Sequence, residues 1–400
     1  MKATLVALRV QWGRSPWWIQ IGVVWAISRI WVWGWTVAIF PFQQTCPFSN
    51  PVQPGILGFI TNWDSAWYQK IYDGGYPVVL PINAAGAVDQ NPWAFLPGYP
   101  AVVKVFSVIP GVTWQIAAPL VALVASLGFA LVAYRLFRLK ADHATSLVAV
   151  AFVVFAPAAA VLQYGYAESL TFFLVAVVLY LLATERYAWA IPVVLIADLT
   201  RPIAAPLALT CLIAAGVVVY RQIRKHRELP AARLVALAAL CLASVIGIGL
   251  WPMIAAVVTG VPDAYFQTEG AWQLAGSQLQ HNVFLVSMMV AYGPIGGLAM
   301  AALLFVLLGA FMVLEPVRRL GIVMWAWVGA WLGYQLLMNG MGRADLRLGM
   351  TAFPLALVAA AMIKPRWAQW SVIAVFAVMQ ISWIWFSWRC GGPGAVHADP

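Results

Sequence analysis

Residues 61–77 read TNWDSAWYQKIYDGGYP and follow the first long apolar run of the chain. Asn62 is a favourable N-cap and Gly74-Gly75 a favourable stop, so the spacing predicts a short helix from Trp63 to Asp73, outside the membrane core. Asp64, Trp67, Tyr68 and Ile71 fall at i, i+3, i+4 and i+7 and therefore share one face. A carboxylate thus shares a stripe with two aromatics and an isoleucine, beside a bilayer. Two readings are open on spacing alone. Any first-turn Asp stabilises a helix through the macrodipole, by roughly 0.3–1 kcal/mol. Alternatively, the apolar wall keeps the carboxylate basic enough to take a proton.

Working outward, the composition excludes a soluble domain. The 400 residues are 64% hydrophobic and 9% charged, where a soluble protein carries about a quarter charged residues. Apolar segments run over residues 17–40, 114–134, 144–162, 169–183, 187–199, 203–220, 231–259, 283–314, 321–338, 350–363 and 367–388. They predict an all-α, polytopic membrane protein with about 11 transmembrane helices. Gly293-Pro294 is expected to kink or split the run over 283–314. The reading is a single membrane domain over 1–390, with a first exterior loop at 41–113 and a Gly/Pro-rich, disordered tail at 391–400. Lys2, Arg9 and Arg14 precede the first apolar run with no small-residue cleavage site, so that run reads as an uncleaved helix.

The formal charge of +10 is explained by topology. With the N-terminus inside, most of the 23 Lys and Arg residues fall on interior loops, among them Arg135, Arg138, Lys140, Arg221, Arg224, Lys225, Arg318 and Arg319. That is the asymmetry of a cytoplasmic-membrane protein, and it implies no nucleic-acid partner. The long loops 41–113, 260–282 and 339–349 are then exterior. Cys211 and Cys241 lie in apolar runs; Cys46 and Cys390 would both lie outside, and whether they are bridged is left open. No His or Cys spacing suits a metal, so neither a metal site nor a required cofactor is expected, and whether one Asp with a phosphate holds Mg²⁺ is left open.

Four further exterior stretches carry polar or charged residues: NPWAFLPGYP at 91–100, YGYAESL at 164–170, LTRPI at 199–203 and GMGRADLRLGMTAFPL at 340–355. Each has a local explanation. Glu168 can favour a helix start, Arg201 can snorkel to headgroups, and Arg343 can pair with Asp345 and leave Arg347 as an interfacial anchor. Taken together they place a carboxylate and several cations on one side of the membrane. That combination suits transfer from a phosphate leaving group, with a base on the nucleophile and fixed positive charge on the departing phosphate.

These residues also carry a resemblance. Trp63-Asp64, Trp67-Tyr68, Gly75-Tyr76-Pro77 and the run Ala94 to Pro100, AFLPGYP, are similar to the first exterior loop of the GPI mannosyltransferase 2 family and its bacterial relatives. Ala167 to Leu170, Thr200-Arg201-Pro202 and Arg347 to Leu355 resemble three later segments of that family, in the same order. The chain departs from the family at Leu348 to Thr351, where the family often has Y-L-L-P, and at Ile203, where it has Asn.

The resemblance implies a GT-C fold with Asp64 as catalytic base. The reading built on it is an inverting transferase that takes a sugar, mannose by the resemblance, from a polyprenyl phosphate. The acceptor is a glycolipid or glycan hydroxyl outside the cytoplasm. Arg201, Arg347 and Arg343 would hold the donor phosphate, and Trp63, Trp67, Tyr68, Tyr76 and Glu168 would face the sugar or acceptor. The rival readings are a lipid or solute transporter, with Arg29 and Asp198 inside spans, and a non-catalytic subunit of a glycan assembly complex. Acids on exterior loops rather than at the midplane favour the enzyme.

Overall fold

Length and apolarity decide which segments can cross a bilayer and which only pack within the protein. The structure is a computed structural model that describes residues 12–44, 55–226, 230–271, 284–338 and 345–390. Among these, six helices are long and apolar enough to span: Trp17–Phe42, Trp114–Phe137, Ala204–Arg224, Ala231–Thr259, Tyr292–Val313 and Arg366–Trp388. Shorter apolar helices, His143–Val154, Glu168–Ala183, Tyr187–Asp198 and Ile322–Met338, lie among them. Beyond one isolated bridge between Ile82 and Val88, no β-pairing occurs among the described residues. Several spanning helices leave large apolar side chains exposed, such as Val257 and Ile295. In water that would be unfavourable; against lipid it costs nothing.

The apolar runs end where local chemistry ends them. The run expected over 144–162 is a helix only to Val154, because Pro157 disfavours helical backbone at Ala156. A short 3-10 turn, Ala159–Leu162, follows. The break leaves carbonyls to be satisfied inside the membrane, and Arg29 satisfies two of them. Its Nη1 donates to Ala159 O and its Nη2 to Val154 O, both at 2.7 Å. Gln380 adds a bond to Ala156 O at 3.0 Å. The intramembrane arginine therefore has a structural occupation. An ammonium cannot reach both carbonyls with one fork, so Arg29→Lys is expected to lower stability by about 1.5–3 kcal/mol. Thermal unfolding in micelles checks this, and an unchanged midpoint would contradict it. At Gly293, φ is 73° and the helix Phe284–Val313 kinks, as the Gly-Pro pair predicts.

The helix Glu168–Ala183 lies at the centre, packed by Trp114–Phe137 and Tyr187–Asp198, with most of its residues buried. Over one end of the bundle sits a layer of short helices: Gly55–Ile60, Asp64–Gly74, Gly98–Val105 and Ala264–Gly270. Aromatic rings bind this layer. Tyr76 packs on Trp93 and Trp251 with centroids 4.6 and 4.9 Å away, Trp251 donates to Trp93 O, and Trp93 to Pro77 O. The Asn91 amide reaches across to Thr268 Oγ1 at 3.0 Å. Two glycines permit the layer to seat. A Cβ on Gly98 would lie 2.6 Å from Leu199 O, the carbonyl to which the Gly98 N–H donates. A Cβ on Gly165 would lie 2.7 Å from Ser65 Oγ. Cys390 is disulfide-bonded, and Cys211 and Cys241 are free; Cys46, Arg343 and the tail 391–400 lie outside the described residues.

Candidate active site

The helix expected over Trp63 to Asp73 runs from Asp64 to Gly74, and its cap is Trp63 rather than Asn62. The physical reason is tertiary. The Asn62 amide is drawn towards Cys390 Sγ, at 3.9 Å, and Trp63 adopts φ 58°, ψ −125°. Such backbone costs a bulky residue about 1–3 kcal/mol and persists only where its surroundings hold it. Here they do. The Trp63 indole donates to Trp388 O, and the Trp388 indole donates back to Phe59 O, both at 2.8 Å. Trp63 is buried in the core, so the ring grouped with the sugar-facing aromatics serves as an anchor of the turn.

Beyond that turn, four charged side chains from four distant segments converge. Asp64 is the first residue of its helix. Glu168 opens the central helix, where the dipole favours a carboxylate. Arg201 sits in the turn between Tyr187–Asp198 and Ala204–Arg224, and Arg347 lies on the short helix Asp345–Gly349. Arg347 Nη1 is 2.8 Å from Asp64 Oδ2 and 3.4 Å from Glu168 Oε1. Arg201 Nη1 is 2.6 Å from Glu168 Oε1 and 3.9 Å from Asp64 Oδ2. Signs alternate around the ring, and the four formal charges cancel.

Exposure separates the two carboxylates. Asp64 keeps 26% of its side-chain surface open, whereas Glu168 keeps 2%. Glu168 Oε1 meets both arginines from below; its Oε2 and Arg347 Nε have no partner among the described residues. Burial alone would lower the pKa of both arginines, but Asp64 and Glu168 beside Arg347, and Glu168 beside Arg201, outweigh it and leave both values raised. The two guanidiniums are fixed positive charges.

Tyr68, buried on the same helix as Asp64, lies edge-on to Phe95 and Tyr99. Burial pushes its hydroxyl pKa up, with the charges of Arg201, Asp64, Glu168 and Arg347 all acting on it. Trp67 stacks on Phe95 at 5.9 Å and carries Lys70 Nζ 3.6 Å from its ring centroid. Trp67, Lys70 and Tyr76 line an open cleft of about 420 Å³ on the outer layer, and the Tyr76 hydroxyl donates to Phe95 O. Among the described residues, no three His, Cys, Asp or Glu side chains gather as metal ligands.

Sequence reasoning passed over Tyr166. Its hydroxyl accepts the Asp64 backbone N–H at 3.0 Å, and its ring faces the Arg347 guanidinium at 5.3 Å. Its position two residues before Glu168 was the available signal.

No family model matches the chain, and no curated protein matches it. Its fold does match a solved structure, ArnT from Cupriavidus metallidurans bound to undecaprenyl phosphate, with a TM-score of 0.51 and 14% identity. The match covers 89% of this chain and 62% of that one, so this chain spans less than two thirds of the length of ArnT. The polytopic, all-helical architecture expected from the sequence is the one observed among the described residues, and its fold is like that of ArnT.

Proposed function

We propose that this chain is a membrane glycosyltransferase that moves a sugar from a polyprenyl-phosphate donor to a hydroxyl of a glycolipid or glycan acceptor. The observation that supports this most is the division of labour in the charged ring: an accessible carboxylate, Asp64, beside two guanidiniums that a buried carboxylate holds in place. The undecaprenyl phosphate bound to the structural neighbour supports a lipid-phosphate donor. The likeness of the first exterior loop to GPI mannosyltransferase 2 supports mannose as the sugar.

In this reading the donor phosphate engages Arg201 and Arg347, whose planar forks match phosphate oxygens. Asp64, released from Arg347, takes the acceptor hydroxyl proton as that oxygen attacks the anomeric carbon. The bond from the anomeric carbon to the phosphate oxygen breaks, its electron pair leaves on the phosphate, and the configuration inverts. No general acid is needed, because phosphate leaves as a stabilised anion. Glu168 acts as counter-ion to the arginines rather than as a sugar ligand, because its carboxylate is sealed beneath them.

Incubating the purified protein with labelled polyprenyl-phosphate-mannose and a membrane extract tests the proposal. Labelled product with release of polyprenyl phosphate is expected. Failure with this donor and with other polyprenyl-phosphate hexoses would overturn it.

The site is proposed to face the exterior, from the asymmetry of basic residues. Ala85, on an exposed turn of the same layer, reports on this. An Ala85→Cys protein should react with an impermeant thiol reagent in intact cells, above the background of the unsubstituted protein. Reaction only after the membrane is opened would place the layer inside.

A further inference from the structure

We infer that Tyr166 is a positioning residue for both halves of the reaction centre, holding Asp64 by its backbone and Arg347 by the face of its ring. This deepens the proposed function and rests on it.

The first N–H groups of a helix have no partner within the helix and need one from outside. Near Asp64 the usual local solution is missing. Asn62 is turned towards the C-terminal segment, and Trp63 has no side-chain capping bond. The Asp64 N–H instead donates to a hydroxyl 102 residues away in sequence, that of Tyr166. Fixing that amide fixes the Asp64 Cα, and with it the arc on which the carboxylate can lie.

The same phenol ring underlies the guanidinium of Arg347, a cation–π contact that strengthens as water is excluded. The ring cannot drift. It is fully buried, packs on Trp388 at 4.9 Å, and belongs to the segment that Gly165 ties to Ile60 O at 2.9 Å. One side chain thereby sets the spacing between the proposed base and the proposed phosphate ligand. Glu168, two residues on, sets the spacing between the two arginines. The segment 166–168 is a template for the whole ring of charges.

Tyr166→Phe removes the hydroxyl and keeps the ring; Tyr166→Leu removes both. In the full-length protein, Tyr166→Phe is expected to lower kcat at least about tenfold, since misplacement by an ångström can cost up to about 10²-fold. Its donor KM should stay within about twofold and its unfolding midpoint should hold. Tyr166→Leu should in addition raise the donor KM, because Arg347 loses its aromatic face. A second readout needs no activity: hydrogen exchange at the Asp64 amide should quicken at least about tenfold in Tyr166→Phe.

Wild-type exchange at Asp64 together with wild-type kcat in Tyr166→Phe would overturn the inference. So would a kcat loss matched by an equal loss of folded protein. If no donor supports transfer even by the unsubstituted protein, the functional reading fails, and the exchange measurement alone decides whether Tyr166 positions Asp64.

Discussion

Asp64→Asn is expected to abolish most sugar transfer while leaving the protein folded. Asn keeps an oxygen that can accept from Arg347, so the contact at 2.8 Å survives in neutral form. It cannot take the proton of the acceptor. General-base contributions are about 10²–10⁴-fold in rate, and the loss should fall within that range and appear in kcat. Stability should change less, because Asp64 is the most exposed member of the ring and Glu168 still contacts both guanidiniums. Initial rates and thermal unfolding on the same preparation check both halves. Near-normal turnover in a folded Asp64→Asn protein would return the residue to the role of a first-turn charge.

Glu168→Gln should show the opposite pattern. Here the substitution removes a buried negative charge that contacts two arginines, one 2.6 Å and the other 3.4 Å away. Breaking a buried pair by neutralising one partner costs about 3–5 kcal/mol, because the remaining charge is left uncompensated. Two cations would then repel each other with Asp64 as their remaining counter-ion in the ring. The unfolding midpoint should fall sharply, and high concentrations of an anion such as phosphate should restore part of it by occupying the cationic site. A Glu168→Gln protein as stable as the parent, indifferent to phosphate, would show that Glu168 does not hold the arginines.

Much of this was visible in the sequence, and the limits of what was visible are physical. The apolar runs announced the membrane fold because lipid demands long hydrophobic helices wherever the chain crosses. Glu168, Arg201 and Arg347 each stood out at the end of an apolar segment, and Asp64 on the aromatic face of a loop helix. Their meeting did not, since the Asp64 to Arg347 contact joins residues 283 apart and no periodicity records it. The run over 144–162 looked like one span because apolarity continues past Pro157; the proline and the waiting Arg29 end the helix. Trp63 read as a sugar-facing ring because it neighbours Asp64, yet its partner lies in the last described helix. Asn62 looked like a cap because Asn usually is one, and a contact across the whole fold turned it away. Local propensity gives way where a long-range contact is stronger.

The indole bonds from Trp63 to Trp388 O and from Trp388 to Phe59 O have a consequence for biogenesis. They close loops of 325 and 329 residues. During synthesis and insertion, the turn that carries Asp64 emerges early but lacks its clamp until the span Arg366–Trp388 has entered the bilayer. A bulky residue at positive φ has no reason to hold that geometry alone. Partly inserted chains therefore carry the acid without the conformation that aims it. The geometry of the charged ring is thus completed in a single late event, and quality control that senses the docking of the helix bearing Trp388 would also be sensing whether the ring exists.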